Sequence, residues 1–395
     1  MLNTRFSPWP SFTCKEAEAI QRVLLSNRVN YWTGNECRSF ETEFKNWIGC
    51  EYAVAMANGT LALDAALKGI GVKEGDEIVV TSRTFIASVS SIIIAGARPV
   101  FADIDQESQN ITAQSIASVL TKNTRAIICV HFAGWPCDME PIMKLARERD
   151  IYVIEDCAQA HGAKYKGTSV GNIGDCAAWS FCQDKIMTTG GEGGMITTNN
   201  SKIWNKIWSY KDHGKSYEAV YKRKHPPGFR WVHESFGTNF RMTEIQGVIG
   251  RIQLSQMSDW TLSRSKNANE IMNTCKKFPS LYRVPVLPRN IVHAWYKCYV
   301  FLRDEILASK RLTRDGIIEE FNSLGIPCYQ GGCSEVYLEK AFDITDFKPK
   351  KPLKAAKALG KTSLMFLVHP TLKPLEVEKT CNVIELVSEK ILQIK

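Results

Sequence analysis

Apolar positions along the chain follow two rhythms. Nearly unbroken apolar runs at 52–56, 77–81, 99–102, 126–130, 151–154, 176–181 and 195–198 read as buried strands. Apolar residues at helical spacing predict helices over 61–69, 86–95 and 141–149. Alternating units of this size mean a mostly parallel sheet with helices on both faces. Ahead of them, Ala17, Ile20, Val23 and Leu24 share one side of a helix expected over 15–26, and a second amphipathic helix is expected over 40–48. The polar, aromatic and proline-containing stretch 215–236 reads as a long excursion, which in a compact domain is often functional. A long helix then runs from Thr243 past Leu254 and leads out of the sheet region.

From about Asp259 the texture changes. A helix is expected over 263–276, a strand over 296–302, a helix over 313–324, a loop at 329–333 and a last helix from Leu375. The expected fold class is therefore α/β. Residues 1–255 form the large domain and residues 256–395 a smaller α+β domain. There is no internal repeat and no low-complexity segment.

Composition narrows the class. The 395 residues suit two domains, and 44% hydrophobic with 23% charged residues is ordinary for a globular protein. The net charge of +9 favours anionic ligands, but no basic block points to nucleic acid; the densest run, Lys222-Arg223-Lys224-His225, reads as a solvated loop. The 13 cysteines include no C-x-x-C pair, so reduced thiols in the cytoplasm are expected rather than a disulfide framework or a metal site. Residues 1–13 have no apolar core, so no secretory leader is expected. The greasiest stretch, 86–97, is too short to span a bilayer and holds three serines, so no membrane association is expected.

Candidate chemistry gathers at strand ends, where open α/β sheets bind their ligands. Lys185 follows the run 176–181 and precedes Gly190, Gly191, Gly193 and Gly194. A lysine held there, short of water, offers a free amine to carbonyls and suits a Schiff base with pyridoxal phosphate (PLP). A solvated lysine in a plain strand–turn–strand fits the same residues. Asp156 follows an apolar strand, where a carboxylate needs a cationic partner such as a protonated pyridine nitrogen; a helix N-cap is the other use of Asp there. Asn58-Gly59-Thr60 lies between a strand and a helix, as an anion site or as a Thr cap. His161 reads as a structural histidine. Asp212 to Ser216 ends like a phosphate-binding loop, but its first glycine position holds Ser209, so that reading is rejected.

In order and spacing, several stretches resemble the DegT/DnrJ/EryC1/StrS family of PLP-dependent sugar aminotransferases, enzymes of the aspartate-aminotransferase fold type I. They are Asn58-Gly59-Thr60 with Ala62-Leu63, Thr84-Phe85, Gly96-Ala97 to Asp105, Glu155-Asp156 to Ala163, Ser180-Phe181 to Lys185, Gly191 to Gly194, and Asn239 to Gln246. The resemblance implies that Lys185 holds the cofactor covalently and shuttles protons. It also implies that Asp156 pairs with the pyridine nitrogen, Gln159 lies near the phenolic oxygen and Phe85 stacks on the ring. Gly59, Thr60 and Ser180 would hold the phosphate, joined by Asn239 from the other subunit of a homodimer. Thr33, Arg241 and Tyr329 would contact substrate. Two departures concern substrate choice: Gln183-Asp184 precede the lysine, where relatives carry a proline or small residue, and 329–333 and 365–369 lack the family's proline-rich pattern.

The implied reaction moves an amino group from L-glutamate to a keto carbon of a nucleotide-linked 6-deoxy sugar, for a surface polysaccharide or glycan precursor. A keto-cyclitol aminotransferase and a noncatalytic PLP-binding regulatory protein are the alternatives. A PLP-dependent sugar dehydratase, in which histidine replaces the lysine, is disfavoured by Lys185. The nucleotide, the sugar and the carbon aminated are not implied.

Overall fold

A computed structural model describes residues 6–308 and 312–394. Seven strands, β1 (Tyr52–Met56), β2 (Glu77–Thr81), β3 (Arg98–Ala102), β4 (Thr124–Val130), β5 (Tyr152–Asp156), β6 (Cys176–Ser180) and β7 (Gly194–Thr198), form the central sheet. Their order is β1-β7-β6-β5-β4-β2-β3. The pairs from β6 through β3 are parallel, whereas β7 runs antiparallel to β6 and β1. The cause lies in the connection: residues 181–193 contain no helix, so the chain returns beside β6 without a crossover.

The strands are apolar throughout because both faces are covered, and alternate residues serve opposite cores. Val54, Met56, Ile78 and Val80 pack under the helices Gly59–Gly69 and Ala87–Ile94. Ala53, Ala55, Ala177 and Trp179 meet Phe40, Phe44 and Ile48 of the helix Glu36–Ile48, and Val79, Ile127 and Val153 meet Met139 and Ile142 of the helix Met139–Glu148. The expected elements omit the helix Ser201–Tyr210, which Asn200 caps and which buries Ile203 and Ile207 on the first face.

The helix Glu244–Ser255 starts at the capping box Thr243/Gln246. It breaks at Gln256, and a second helix, Met257–Lys276, begins well before the expected position 263. Beyond it, strands Tyr282–Arg283, Cys298–Leu302, Ser363–Phe366 and Cys328–Tyr329 form an antiparallel sheet in that order. Helices Arg314–Ser323 and Pro374–Ile394 cover it. The strand Ser363–Phe366 and the helix Lys354–Thr362 were not expected. Val336, Tyr337 and Phe342 pack into the core under the central sheet, so the C-terminal residues are tied firmly to it. All 13 cysteines are free thiols. Among the described residues no helix is long and apolar enough to cross a membrane.

Candidate active site

Lys185 lies in the β6–β7 connection, which turns back through Gly190 (φ 90°) and Gly191 (φ 125°), left-handed positions that glycine takes without strain. The Lys185 backbone is held at both ends: its N–H donates to Cys182 O at 3.1 Å, and Trp9 Nε1 donates to its carbonyl at 2.8 Å. Its Nζ is 3.6 Å from Asp184 Oδ2 and 5.3 Å from the centroid of the Tyr296 ring. The Tyr296 hydroxyl donates to Asp184. Burial raises the Asp184 pKa, but Lys185, the Tyr296 hydroxyl and Lys297 together hold the carboxyl below its ordinary range.

Asp156 ends β5 and is buried. Its Oδ2 accepts from Ser88 Oγ at 2.8 Å and its Oδ1 from Ala158 N–H at 3.1 Å. Ser88 and Thr84 share a further hydroxyl contact of 2.8 Å. Burial pushes the Asp156 pKa up against these hydrogen bonds. Residues 157–162 turn without forming a helix, so Asp156 is not a helix cap. Gln159 Oε1 accepts from Ala133 N–H at 2.7 Å.

The helix expected to start at 61 starts at Gly59. Its cap is Asn58, whose Oδ1 accepts from Leu61 N–H at 3.0 Å, so Thr60 stands in the first turn instead of capping it. A Cβ on Gly59 would sit 2.5 Å from Ser180 Cβ, so only glycine allows this approach of helix and strand end. Asn58, Gly59, Thr60, Phe85, Asp156, Gln159, Ser180 and Lys185 line one cavity of about 1000 Å³, closed on the far side by Tyr296, Lys297, Tyr299, Gly331, Gly332 and Met365.

Residues 10–385 match the DegT/DnrJ/EryC1/StrS aminotransferase family. The chain belongs to this family. It is 38% identical over 294 residues to the GDP-perosamine synthase of Escherichia coli O157:H7, covering 74% of this chain and 77% of that one. It is 35% identical over 289 residues to the dTDP-3-amino-3,6-dideoxy-alpha-D-galactopyranose transaminase of Aneurinibacillus thermoaerophilus, covering 73% and 75%. The solved aminotransferase of Psychrobacter cryohalolentis superposes with a TM-score of 0.97 at 59% identity, covering 98% of this chain and all of that one. The aminotransferase described here thus has the fold type I architecture and depends on PLP.

The residues present fit that cofactor. Asp156 is a buried carboxylate that forms no ion pair among the described residues, as a partner for a pyridinium requires. The first turn of the helix at Gly59 offers backbone N–H groups to a phosphate beside the Ser180 hydroxyl. Phe85 lines the same cavity and is 67% exposed, an apolar face free to take a ring.

Four expected site residues do not reach the cavity within one chain. Asn239 is exposed and accepts from the Arg241 N–H, and Arg241 Nη1 is bound to the buried Asp212 at 2.9 Å. The Thr33 hydroxyl donates to Asn30 O at 3.2 Å, and Tyr329 is half exposed in an edge strand of the small sheet. Sequence reasoning missed Ser88, Trp9 and Tyr296. The serines of the greasy stretch 86–97 were the signal for Ser88; nothing local marks the other two.

His131, Glu155 and Cys157 cluster in the manner of metal ligands, but the His131 and Glu155 donor atoms are already used. Cys137 N–H donates to His131 Nδ1 at 3.0 Å, so Nε2 carries the proton it gives to Glu155 at 2.9 Å. Glu155 also accepts from the N–H groups of Gly171, Ile173 and Gly174. The cluster therefore braces the sheet. His161 is buried against Trp179 and Phe181, and burial with the nearby Lys185 and Arg264 charges lowers its pKa to about 3, so it stays neutral.

Proposed function

We propose that this aminotransferase moves an amino group from L-glutamate to a keto carbon of a nucleotide-linked 6-deoxy sugar, in the synthesis of a surface polysaccharide or glycan precursor. The observation that carries the reading is the single cavity uniting Lys185, Asp156 and the Gly59–Ser180 cup, in a chain whose relatives include a GDP-perosamine synthase and a dTDP-amino-sugar transaminase. Bound PLP supplies an electron sink for a carbon stripped of its proton. The protein's own groups do the rest. Lys185 holds the cofactor and moves protons at the substrate carbon through its Nζ. Asp156, braced by Ser88, keeps the pyridine nitrogen protonated. With PLP bound, Gln159 would stand near the phenolic oxygen and Phe85 would cover the ring. Gly59, Thr60 and Ser180 anchor the phosphate.

The working unit is a cytoplasmic homodimer in which Asn239 reaches the partner's phosphate, and Thr33, Arg241 and Tyr329 meet substrate. Supporting this, Phe229, Trp231 and Phe236 stand largely in solvent on the excursion before Asn239, apolar surface that a second copy would cover. The domain division at 255/256, where the chain breaks between two helices, belongs to the same reading.

The test is a screen of nucleotide-linked keto sugars with L-glutamate, detecting 2-oxoglutarate and the amino sugar. Turnover of a keto-cyclitol but of no nucleotide sugar would replace the substrate class. Turnover of neither would leave a PLP-binding regulatory protein. For the shared site, mixing inactive Lys185→Ala and Asn239→Asp subunits should restore part of the activity, because one site of each mixed dimer carries neither lesion. No recovery despite proven exchange would place the whole site in one chain.

A further inference from the structure

Positive charge is in excess beside the reacting lysine. Lys185 and Lys297 both hold their ammonium groups near the ring of Tyr296, at 5.3 and 5.0 Å from its centroid. Nearby, Arg264 is buried with its guanidinium 4.9 Å from the centroid of the Trp9 ring; its Nη1 donates to Trp295 O at 3.3 Å, and its Nε and Nη2 have no hydrogen-bond partner among the described residues. Asp184 faces this group and is already engaged by the Tyr296 hydroxyl and by Lys185, and the buried Asp156, which also feels the Lys185 charge, accepts from Ser88 and Ala158. Lys297 lines the cavity, and among the described residues its Nζ makes no hydrogen bond or ion pair.

The segment carrying Lys297 is held in place. Ala294 N–H donates to Gly134 O at 2.8 Å and Tyr296 N–H to Ala133 O at 3.0 Å, and Ala133 N–H in turn holds Gln159. Between them Trp295 takes a left-handed φ of 51°, a costly conformation for a bulky residue. The His293 ring stacks on it at 3.9 Å, and the Trp295 N–H donates to His293 Nδ1 at 2.8 Å. The strained turn sets Tyr296 and Lys297 on the cavity wall. Burial, with the Arg264 and Lys185 charges, lowers the Lys297 pKa to about 8, which leaves it cationic at neutral pH and improved by an anion.

We infer that Lys297 binds the α-carboxylate of the amino-acid donor, an inference that rests on the aminotransferase reading above. The donor's nitrogen must arrive where Lys185 Nζ works. Its α-carboxylate is attached to the same carbon as that nitrogen, so the cation receiving it must stand beside Lys185, and Lys297 shares a ring with it. The phosphates of a nucleotide sugar are held away from the keto carbon by the sugar ring, and their cations belong farther out. A buried, charged contact of this kind also separates amino acids from simple amines.

The test uses the PLP-loaded enzyme as wild type, Lys297→Met and Lys297→Arg. Calorimetry follows binding of glutarate, a dicarboxylate without an amine, and of UDP, dTDP and GDP. Absorbance follows loss of the visible cofactor band when L-glutamate is added without sugar. Lys297→Met should keep wild-type PLP content yet weaken glutarate binding and half-saturation by L-glutamate about tenfold to hundredfold, the size of a charged hydrogen bond. Nucleotide binding should not change, and Lys297→Arg should recover part of the loss. If Lys297→Met does not fold, Lys297→Gln is read in the same way. Unchanged donor affinity overturns the inference, as does a loss confined to the nucleotides, which would mark a phosphate subsite. A wild type that bleaches with no α-amino acid would instead sink the aminotransferase reading.

Discussion

On one side of the cavity Asp156, Ser180 and Lys185 stand at or just beyond the ends of adjacent strands β5 and β6. On the other side, Tyr296, Lys297, Gly332 and Met365 come from three separate segments of the C-terminal part of the chain. Asp156 and Ser180 on the first wall inherit their places from a sheet buried on both faces, and Lys185 is held just beyond it by Cys182 O and Trp9 Nε1. The second depends on long-range clamps. Gly332 N–H donates to the Tyr299 hydroxyl at 2.9 Å, Arg83 Nη1 reaches Ser334 Oγ at 2.8 Å, and Val336 N–H donates to Ser82 O at 3.0 Å. The groups proposed for the cofactor chemistry stand on the wall built from the sheet, and the opposite wall is assembled from loops and long-range packing.

The comparison breaks most visibly at Lys185. Lys185→Ala should lower turnover by several orders of magnitude while PLP still binds, because both the covalent hold and the proton carrier are lost. In the wild type, borohydride should fix the cofactor on Lys185, as read by peptide mass; label on another lysine would move the site to the other wall. Asp156→Asn should keep PLP bound and cost about 3 kcal/mol of transition-state stabilisation, the scale of a preorganised electrostatic contact. Near-normal kcat would reduce Asp156 to a structural carboxylate. The smallest effect is expected at Gly59→Ala, whose Cβ would press on Ser180 Cβ at 2.5 Å. Overpacking there should cost about 1–3 kcal/mol of stability and weaken PLP binding, seen in Tm and in cofactor titration. An unchanged Tm would mean that the sheet wall yields more easily than its packing suggests.

Much of the first wall could be read from the chain. Strands buried on both faces are unbroken apolar runs, and β1 and β2 lie where the pattern put them. The Gly cluster after Lys185 and the carboxylate ending an apolar strand are local signals, because the chemistry and the backbone geometry occupy the same few residues. Local patterns erred where two polar residues competed for one role: Asn58, not Thr60, took the cap. Two-residue strands and the short strand Ser363–Phe366 carry too few positions for a period to emerge.

The residues alone determined a mostly parallel α/β sheet and a lysine–aspartate pair at its ligand edge, because periodicity and strand-end chemistry are written within a few positions. Only the tertiary structure decided that Ser88 braces Asp156, that Tyr296 bridges to Asp184, and that Lys297 stands beside Lys185 with no ion pair among the described residues. Those contacts join residues distant in the chain. They exist because burial leaves each polar group the few partners that folding brings within reach.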